Sequence, residues 1–427
     1  MTSDIKRKLK DLQDLLGFYV SRVISWPLVP PEHVYFSLTN RCNLRCSMCE
    51  ISKHPSLPET ELSTAKIKEI IRQIKDLSIG HIIFSGGEPL LRDDLVELVE
   101  FAVGNDIGMV DIITNGVLLK ENIIKNLIRS GLNHITISLD GIGQVNNKIR
   151  GADIFDIVES NIDKLNYHKT QQNLSLPTLG INFTIMDSNI SDILPIVEFA
   201  KSKKCNIVVF QPILFNNTKM HVKKRNSLWP VKENISKLRS AIKELEKIKR
   251  NSTDINIFTD FEVLRAIPGY FEGKKPQTGF KCYEAIKRIV ITCDGNLWSC
   301  MGTYGNLEKE SLREIWFSKS AMEVRSKVKR CNEHCLQDCV YFPSDFVNKI
   351  RLISNDSFLD DEKSLVMRNE ILEQIEEYIK VLSERNKSQP EMLNRIFGSQ
   401  RMYQKEIDRL LLARRLLNDI NYGSPRK

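Results

Sequence analysis

The sequence has no run approaching the roughly 20 apolar residues that a helix needs to cross a bilayer, which argues against a transmembrane protein. No secretory leader is expected either: the apolar stretch Leu15 to Ile24 is interrupted by Arg22 and is followed by no small-residue cleavage site. The ten cysteines in 427 residues fall into two groups with Cys205 alone between them, a clustering that favours metal binding in a reducing, cytoplasmic compartment over a disulfide framework. Charge of one sign is also missing. The 62 Lys and Arg residues are interleaved with 54 Asp and Glu, so the net +8 forms no stripe and no nucleic-acid partner is implied. There is no internal repeat or low-complexity tract, and none of the seven histidines is placed by a motif, so no general acid or base can be named.

What the chain does have is a core-forming composition, 41% hydrophobic, arranged with a clear rhythm. Six short apolar runs, His33 to Thr39, His81 to Ser85, Val110 to Thr114, His134 to Leu139, Leu179 to Ile185 and Ile207 to Ile213, alternate with segments of helical period. Those segments include Asp93 to Val103, Lys120 to Ser130, Ile154 to Leu165 and Ile190 to Lys203. Repeated βα units predict an α/β fold, a partial (βα)6 TIM-like barrel with its ligand site at the carboxyl ends of the strands. A small cysteine-rich module of β-hairpin and helix and a helical tail should follow. The expected divisions are an N-terminal amphipathic helix in 1–32, the barrel with its following helix in 33–250, the cysteine module in 251–345 and the tail in 346–427.

The motifs fall at the ends of successive strands. After the first comes Cys42-Asn43-Leu44-Arg45-Cys46-Ser47-Met48-Cys49, three thiols on a loop short enough to wrap one metal centre. Thiolates select iron–sulfur clusters, zinc or copper(I). Three of them with no local fourth ligand would leave one iron of a [4Fe–4S] cube open for chemistry, and make structural zinc the weaker alternative. The second strand is followed by Gly86-Gly87-Glu88-Pro89, the third ends at Thr114-Asn115-Gly116, and the fourth leads into Ser138-Leu139-Asp140-Gly141 and then Arg150-Gly151.

Over residues 33 to 213 the chain resembles the radical S-adenosylmethionine (SAM) superfamily, whose hallmark is a CxxxCxxC loop after the first strand of a partial barrel. The resemblance implies that Cys42, Cys46 and Cys49 hold a [4Fe–4S] cluster whose open iron is chelated by SAM. It implies reductive cleavage of SAM to a 5′-deoxyadenosyl radical, which takes a hydrogen atom from substrate, with the electron delivered by a flavodoxin- or ferredoxin-type partner. Gly86, Gly87, Glu88 and Pro89 match the motif that bonds the methionine amino group. By the same resemblance Ser138 bonds the ribose, Arg150 pairs with the methionine carboxylate, and Asn115 is a further contact. Met48 departs from the family, standing where many members have an aromatic residue beside the adenine.

A second cysteine group, Cys282-x12-Gly295-x4-Cys300 and then Cys331-x3-Cys335-x3-Cys339, resembles the SPASM or twitch extension of these enzymes, which carries auxiliary iron–sulfur clusters. Two full cubes would need eight cysteines, so one auxiliary [4Fe–4S] cluster is the economical expectation. Cys282 and Cys300 would supply two ligands and Cys331, Cys335 and Cys339 the others, with Cys293 a ligand or a spare thiol; four thiolates would also suit zinc. Lone Cys205 reads as a small buried hydrophobe.

The expected function is thus oxidoreductase-like radical SAM chemistry on an unidentified peptide, or on a sugar, nucleotide or lipid metabolite. In this sequence only residues 1–32 precede the first strand, too few for a peptide-recognition domain, which gives the metabolites comparable weight. The rival is a non-catalytic iron–sulfur or zinc protein acting in electron transfer or as a scaffold. The N-terminal segment Asp4 to Ile24 is expected to dock on protein in preference to a membrane surface, because Asp4, Asp11 and Asp14 dilute its basic face.

Overall fold

The computed structural model describes residue 14 and residues 17–22, 24–214, 227–274, 280–331, 335–336 and 341–343, with residues 376, 380 and 411 beyond them. Cys339, the expected tail helices and most of the chain before residue 17 lie outside the described residues.

Strands β1 (His33–Thr39), β2 (His81–Gly86), β3 (Met109–Thr114), β4 (His134–Ser138), β5 (Thr178–Ile185) and β6 (Ile207–Pro212) lie side by side in chain order, all parallel. The crossovers carry helices α1 (Thr64–Asp76), α2 (Leu95–Gly104), α3 (Glu121–Arg129), α4 (Gln144–Arg150), α5 (Phe155–Gln171) and α6 (Ile193–Ser202). Period-two patterning explains the layers. Val34, Phe36 and Leu38 of β1 and Ile181 and Phe183 of β5 are completely buried, as are Ile67, Ile70, Ile71 and Ile74 along one face of α1. Each such side chain contributes about 1.5–3 kcal/mol of transfer free energy. The alternate residues Tyr35, Ser37, Ser138, Asn182, Thr184 and Gln211 are only half-buried, so the other face of the sheet is mostly polar, with Ile83, Ile113 and Val209 among them.

After α7 (Lys232–Asn251), a short β7 (Asn256–Ile257) adds a seventh parallel strand beside β6. Then come α8 (Phe261–Phe271), β8 (Phe280–Cys282), β9 (Arg288–Ile291), β10 (Asn296–Ser299), β11 (Gly302–Asn306), α9 (Leu312–Trp316), α10 (Lys319–Arg330) and β12 (Tyr341–Pro343). The expected hairpin is β10–β11, but it does not stand apart. β9 runs parallel to β1, from His33 opposite Arg288 to Phe36 opposite Ile291, so that the cysteine module extends the barrel sheet to ten strands. β12 pairs antiparallel with β8, with Tyr341 opposite Cys282.

Residues 17–22 are helical and lie on this module, Phe18 packing with Tyr283 and Ile286 and Trp26 meeting Phe317 with ring centroids 5.5 Å apart. No helix among the described residues is long and apolar enough to cross a membrane.

Candidate active site

The three-cysteine loop is held at the carboxyl end of β1 by backbone bonds to the loops of its neighbours. Gly87 N–H donates to the Thr39 carbonyl at 2.6 Å and Glu88 N–H to the Arg41 carbonyl at 2.9 Å, while Ser47 N–H donates to Ile149 at the end of α4 at 2.8 Å. The glycines are needed for this approach: a Cβ on Gly87 would sit 2.2 Å from the Arg41 oxygen, and one on Gly86, at φ +138°, 2.3 Å from the Thr39 oxygen. Leu44 is the apolar anchor of the loop, 3% exposed.

Cys42, Cys46 and Cys49 are half-buried. The Leu44 N–H lies 3.5 Å from the Cys42 sulfur and an Arg150 Nη1 4.0 Å from the Cys46 sulfur. Burial pushes the Cys42 and Cys46 thiols above their ordinary range; Cys42 also feels the charge of Cys49, and Cys46 that of Cys49 and Cys42. Thiolates there call for a cationic centre, and N–H donors aimed at sulfur suit one, so the donor set fits a cluster. Among the described residues no three His, Cys, Asp or Glu side chains gather closely enough for a single metal ion. An iron–sulfur cube takes each thiolate at a different iron, and its ligands need not meet at one point.

The other motif residues surround the loop. Glu88 is fully buried and its side chain accepts from Asn115 N–H at 2.8 Å, Thr114 Oγ1 at 2.7 Å and Leu90 N–H at 3.1 Å. Burial raises its carboxyl to about 7 in spite of those donors. Glu88 is therefore a buried tie between β2 and β3. Asn115 donates to the Asn43 side chain of the cysteine loop at 2.8 Å. Pro89 opens a one-turn helix over Pro89–Leu91, and Ser138 is half-buried at the end of β4.

Arg150 is 7% exposed and forms a 2.6 Å ion pair with the completely buried Asp140. Asp140 also accepts from Thr184 N–H at 2.8 Å, and its carbonyl accepts from Asn189 Nδ2 at 2.9 Å. Burial raises the Asp140 carboxyl, and the Arg150 guanidinium acts against it. Sequence reasoning missed these partners because Thr184 and Asn189 stand 44 and 49 residues from Asp140. It also missed Glu61, whose side chain takes bonds from Ser56 at 2.5 Å, from Arg41 Nη2 at 3.1 Å and from Thr39. Burial opposes ionisation of Glu61, but the bonds from Arg41, Ser56 and Thr39 hold its carboxyl below the ordinary range.

At the second site burial pushes the Cys282 thiol up; Cys300 keeps an exposed surface, and its thiol is raised by partial burial and then by the charges of Glu284, Cys335 and Cys331, while Cys282 feels Cys335 as well. The cysteines of β8, of the hairpin and of the segment after α10 therefore act on one another's charge, and Glu284 acts on Cys282 and Cys300. Cys293 is elsewhere. It is 3% exposed beside Ser56, Glu61 and Asp294, lining a cleft of about 370 Å³ between the loop after β1 and the β9–β10 turn. Cys205 is buried, which raises its thiol to about 12.

Comparison with known proteins agrees with this geometry. The model of the Radical SAM superfamily matches residues 36–200, and that of an iron–sulfur cluster-binding domain, SPASM, matches residues 282–340. A probable GTP 3′,8-cyclase of Methanocaldococcus jannaschii is 30% identical over 275 residues, 64% of this chain and 85% of the relative. The Fe-coproporphyrin III synthase of Methanosarcina barkeri is 34% identical over 184 residues, and that match spans 43% of this chain and under half, 44%, of the relative. Among solved structures, Streptococcus suis SuiB bound to its precursor peptide SuiA has a TM-score of 0.56 at 17% identity over 74% of this chain and 75% of its own. Native anSMEcpe with bound AdoMet and the Cp18Cys peptide has a TM-score of 0.54 at 19% identity over 72% of this chain and 85% of its own, a likeness of fold. With motif loops stitched together at the ends of consecutive parallel strands, and the matching relatives, the chain belongs to the radical SAM superfamily as an enzyme carrying a C-terminal SPASM domain.

Proposed function

We propose that Cys42, Cys46 and Cys49 hold the [4Fe–4S] cluster of this radical SAM enzyme and that Gly86, Gly87, Glu88, Pro89, Asn115, Ser138 and Arg150 shape the place where SAM binds. A cluster with an open iron supplies the electron that cleaves SAM, giving the 5′-deoxyadenosyl radical that takes hydrogen from substrate. This chain's residues do the rest. Gly86 and Gly87 let the two loops meet, Glu88 and Asn115 fix their spacing, and Arg150 brings positive charge beside Cys46. The observation that carries the reading is the set of bonds joining the cysteine loop to Gly87, Glu88, Asn115 and Ile149, three strand-end loops on one centre.

The substrate is a peptide or a small molecule, admitted to the polar face that carries Tyr35, Asn182 and Gln211. A flavodoxin- or ferredoxin-type protein delivers the electron, in the cytoplasm. Cys282 and Cys300, with two of Cys331, Cys335 and Cys339, hold one auxiliary [4Fe–4S] cluster.

Anaerobically reconstituted protein given SAM and a strong reductant should release 5′-deoxyadenosine, and Cys46→Ala should abolish the release. Normal turnover by the variant would overturn the assignment.

A further inference from the structure

Arg22, the charge that interrupts the N-terminal apolar stretch, is half-buried against the cysteine module. Its Nε donates to the Cys282 carbonyl at 2.9 Å and its Nη2 to the Lys329 carbonyl at 3.1 Å, acceptors 260 and 307 residues away along the chain. Lys329 lies in the last turn of α10, two residues before Cys331, where carbonyls lack helical partners and the helix dipole favours a cation. The guanidinium also lies over the Tyr283 ring, 5.6 Å from its centroid. The segment bearing Arg22 is fixed on both sides. Phe18 packs on Tyr283 and Ile286, Leu28 N–H donates to Ser21 Oγ at 2.9 Å, and Trp26 meets Phe317.

We propose that Arg22 is a positioning residue for the auxiliary site, a latch joining the strand that carries Cys282 to the helix end that presents Cys331. Arg325 of the same helix also donates to the Ala285 carbonyl, at 2.7 Å, three residues beyond Cys282; what Arg22 adds is the tie at the cysteine end of each arm, and without it the module's thiols are held less closely for a cluster. The planar fork matters: one guanidinium reaches two carbonyls that point from different segments, which a single ammonium does with less geometric constraint. The inference rests on reading those cysteines as one metal site.

The test uses full-length Arg22→Ala and Arg22→Lys beside wild type, all reconstituted anaerobically, with iron, sulfide and zinc counted per chain. EPR of the reduced proteins with and without SAM separates the two clusters, and 5′-deoxyadenosine release reports the first site. Arg22→Ala should fall from about eight irons to about four, losing the signal that SAM does not perturb, with 5′-deoxyadenosine release within about twofold of wild type. Arg22→Lys should recover only part of the lost iron. Full iron and both signals in Arg22→Ala would overturn the latch; so would equal loss of both signals, which would make Arg22 a general folding residue. Four irons and one zinc in wild type would fail the iron–sulfur reading instead, leaving the latch to be judged by loss of zinc in the variant.

Discussion

Arg150 and Asp140 form a charge pair that water scarcely reaches, and breaking such a pair from one side strands the other charge. Arg150→Met should therefore cost about 3–5 kcal/mol of stability and stop 5′-deoxyadenosine release. The double variant Arg150→Met with Asp140→Asn should regain much of the stability but none of the activity; equal stability of the single variant and wild type in urea unfolding would sink this. Glu88 gives a pH signature. Burial raises its carboxyl from 4.5 to about 7, so the fold favours the protonated form. Its contribution is full below the unfolded value and is lost as pH rises through about 7. Relative to Glu88→Gln, the wild-type Tm should decline between about pH 5 and about pH 8, and parallel Tm curves for the two proteins would refute it. The candidate residues were legible because each belongs to a short motif. Thr184 and Asn189, which bond Asp140, and Glu61, which bonds Thr39 and Arg41 beside the cysteine loop, were not, since a hydrogen bond across the fold leaves no local spacing to read.

At the scale of elements, the loops after β1 and β2 behave as one unit, because two backbones touch where Gly87 has no side chain. A methyl there meets backbone atoms on Arg41 and Asn40, none of which can rotate away. Gly87→Ala should cost about 1–3 kcal/mol and deplete iron at the first site while sparing the second. Gly104→Ala, at the end of α2 with open space around its would-be Cβ, is the matched control and should be near neutral. Full first-site iron in Gly87→Ala would show that the loops can part. All six barrel strands could be read to within a residue or so, since period-two burial writes itself into consecutive residues. The helix α4 was harder to see: seven residues, three of them buried and two of those polar, carry no apolar stripe.

For the molecule as a whole, the barrel was readable and its seam was not. Each βα unit closes on the next within a few tens of residues, whereas β9 finds β1 across some 250 residues with only four paired positions. Nothing in either run announces the other, so the auxiliary module read as separate when it in fact completes the sheet. That continuity gives the iron count its meaning. The two thiol groups hang on one sheet, yet the charges that act most on Cys282 and Cys300 are those of their own module, Glu284 and Cys335, so the sites should load independently. Wild type should then hold about eight irons, and Cys282→Ser with Cys300→Ser about four, with 5′-deoxyadenosine still released in the absence of substrate. Substrate turnover is the step that the double variant should lose. Four irons and one zinc in wild type would make the second site structural, and loss of both clusters in the double variant would mean that the shared sheet couples them through folding.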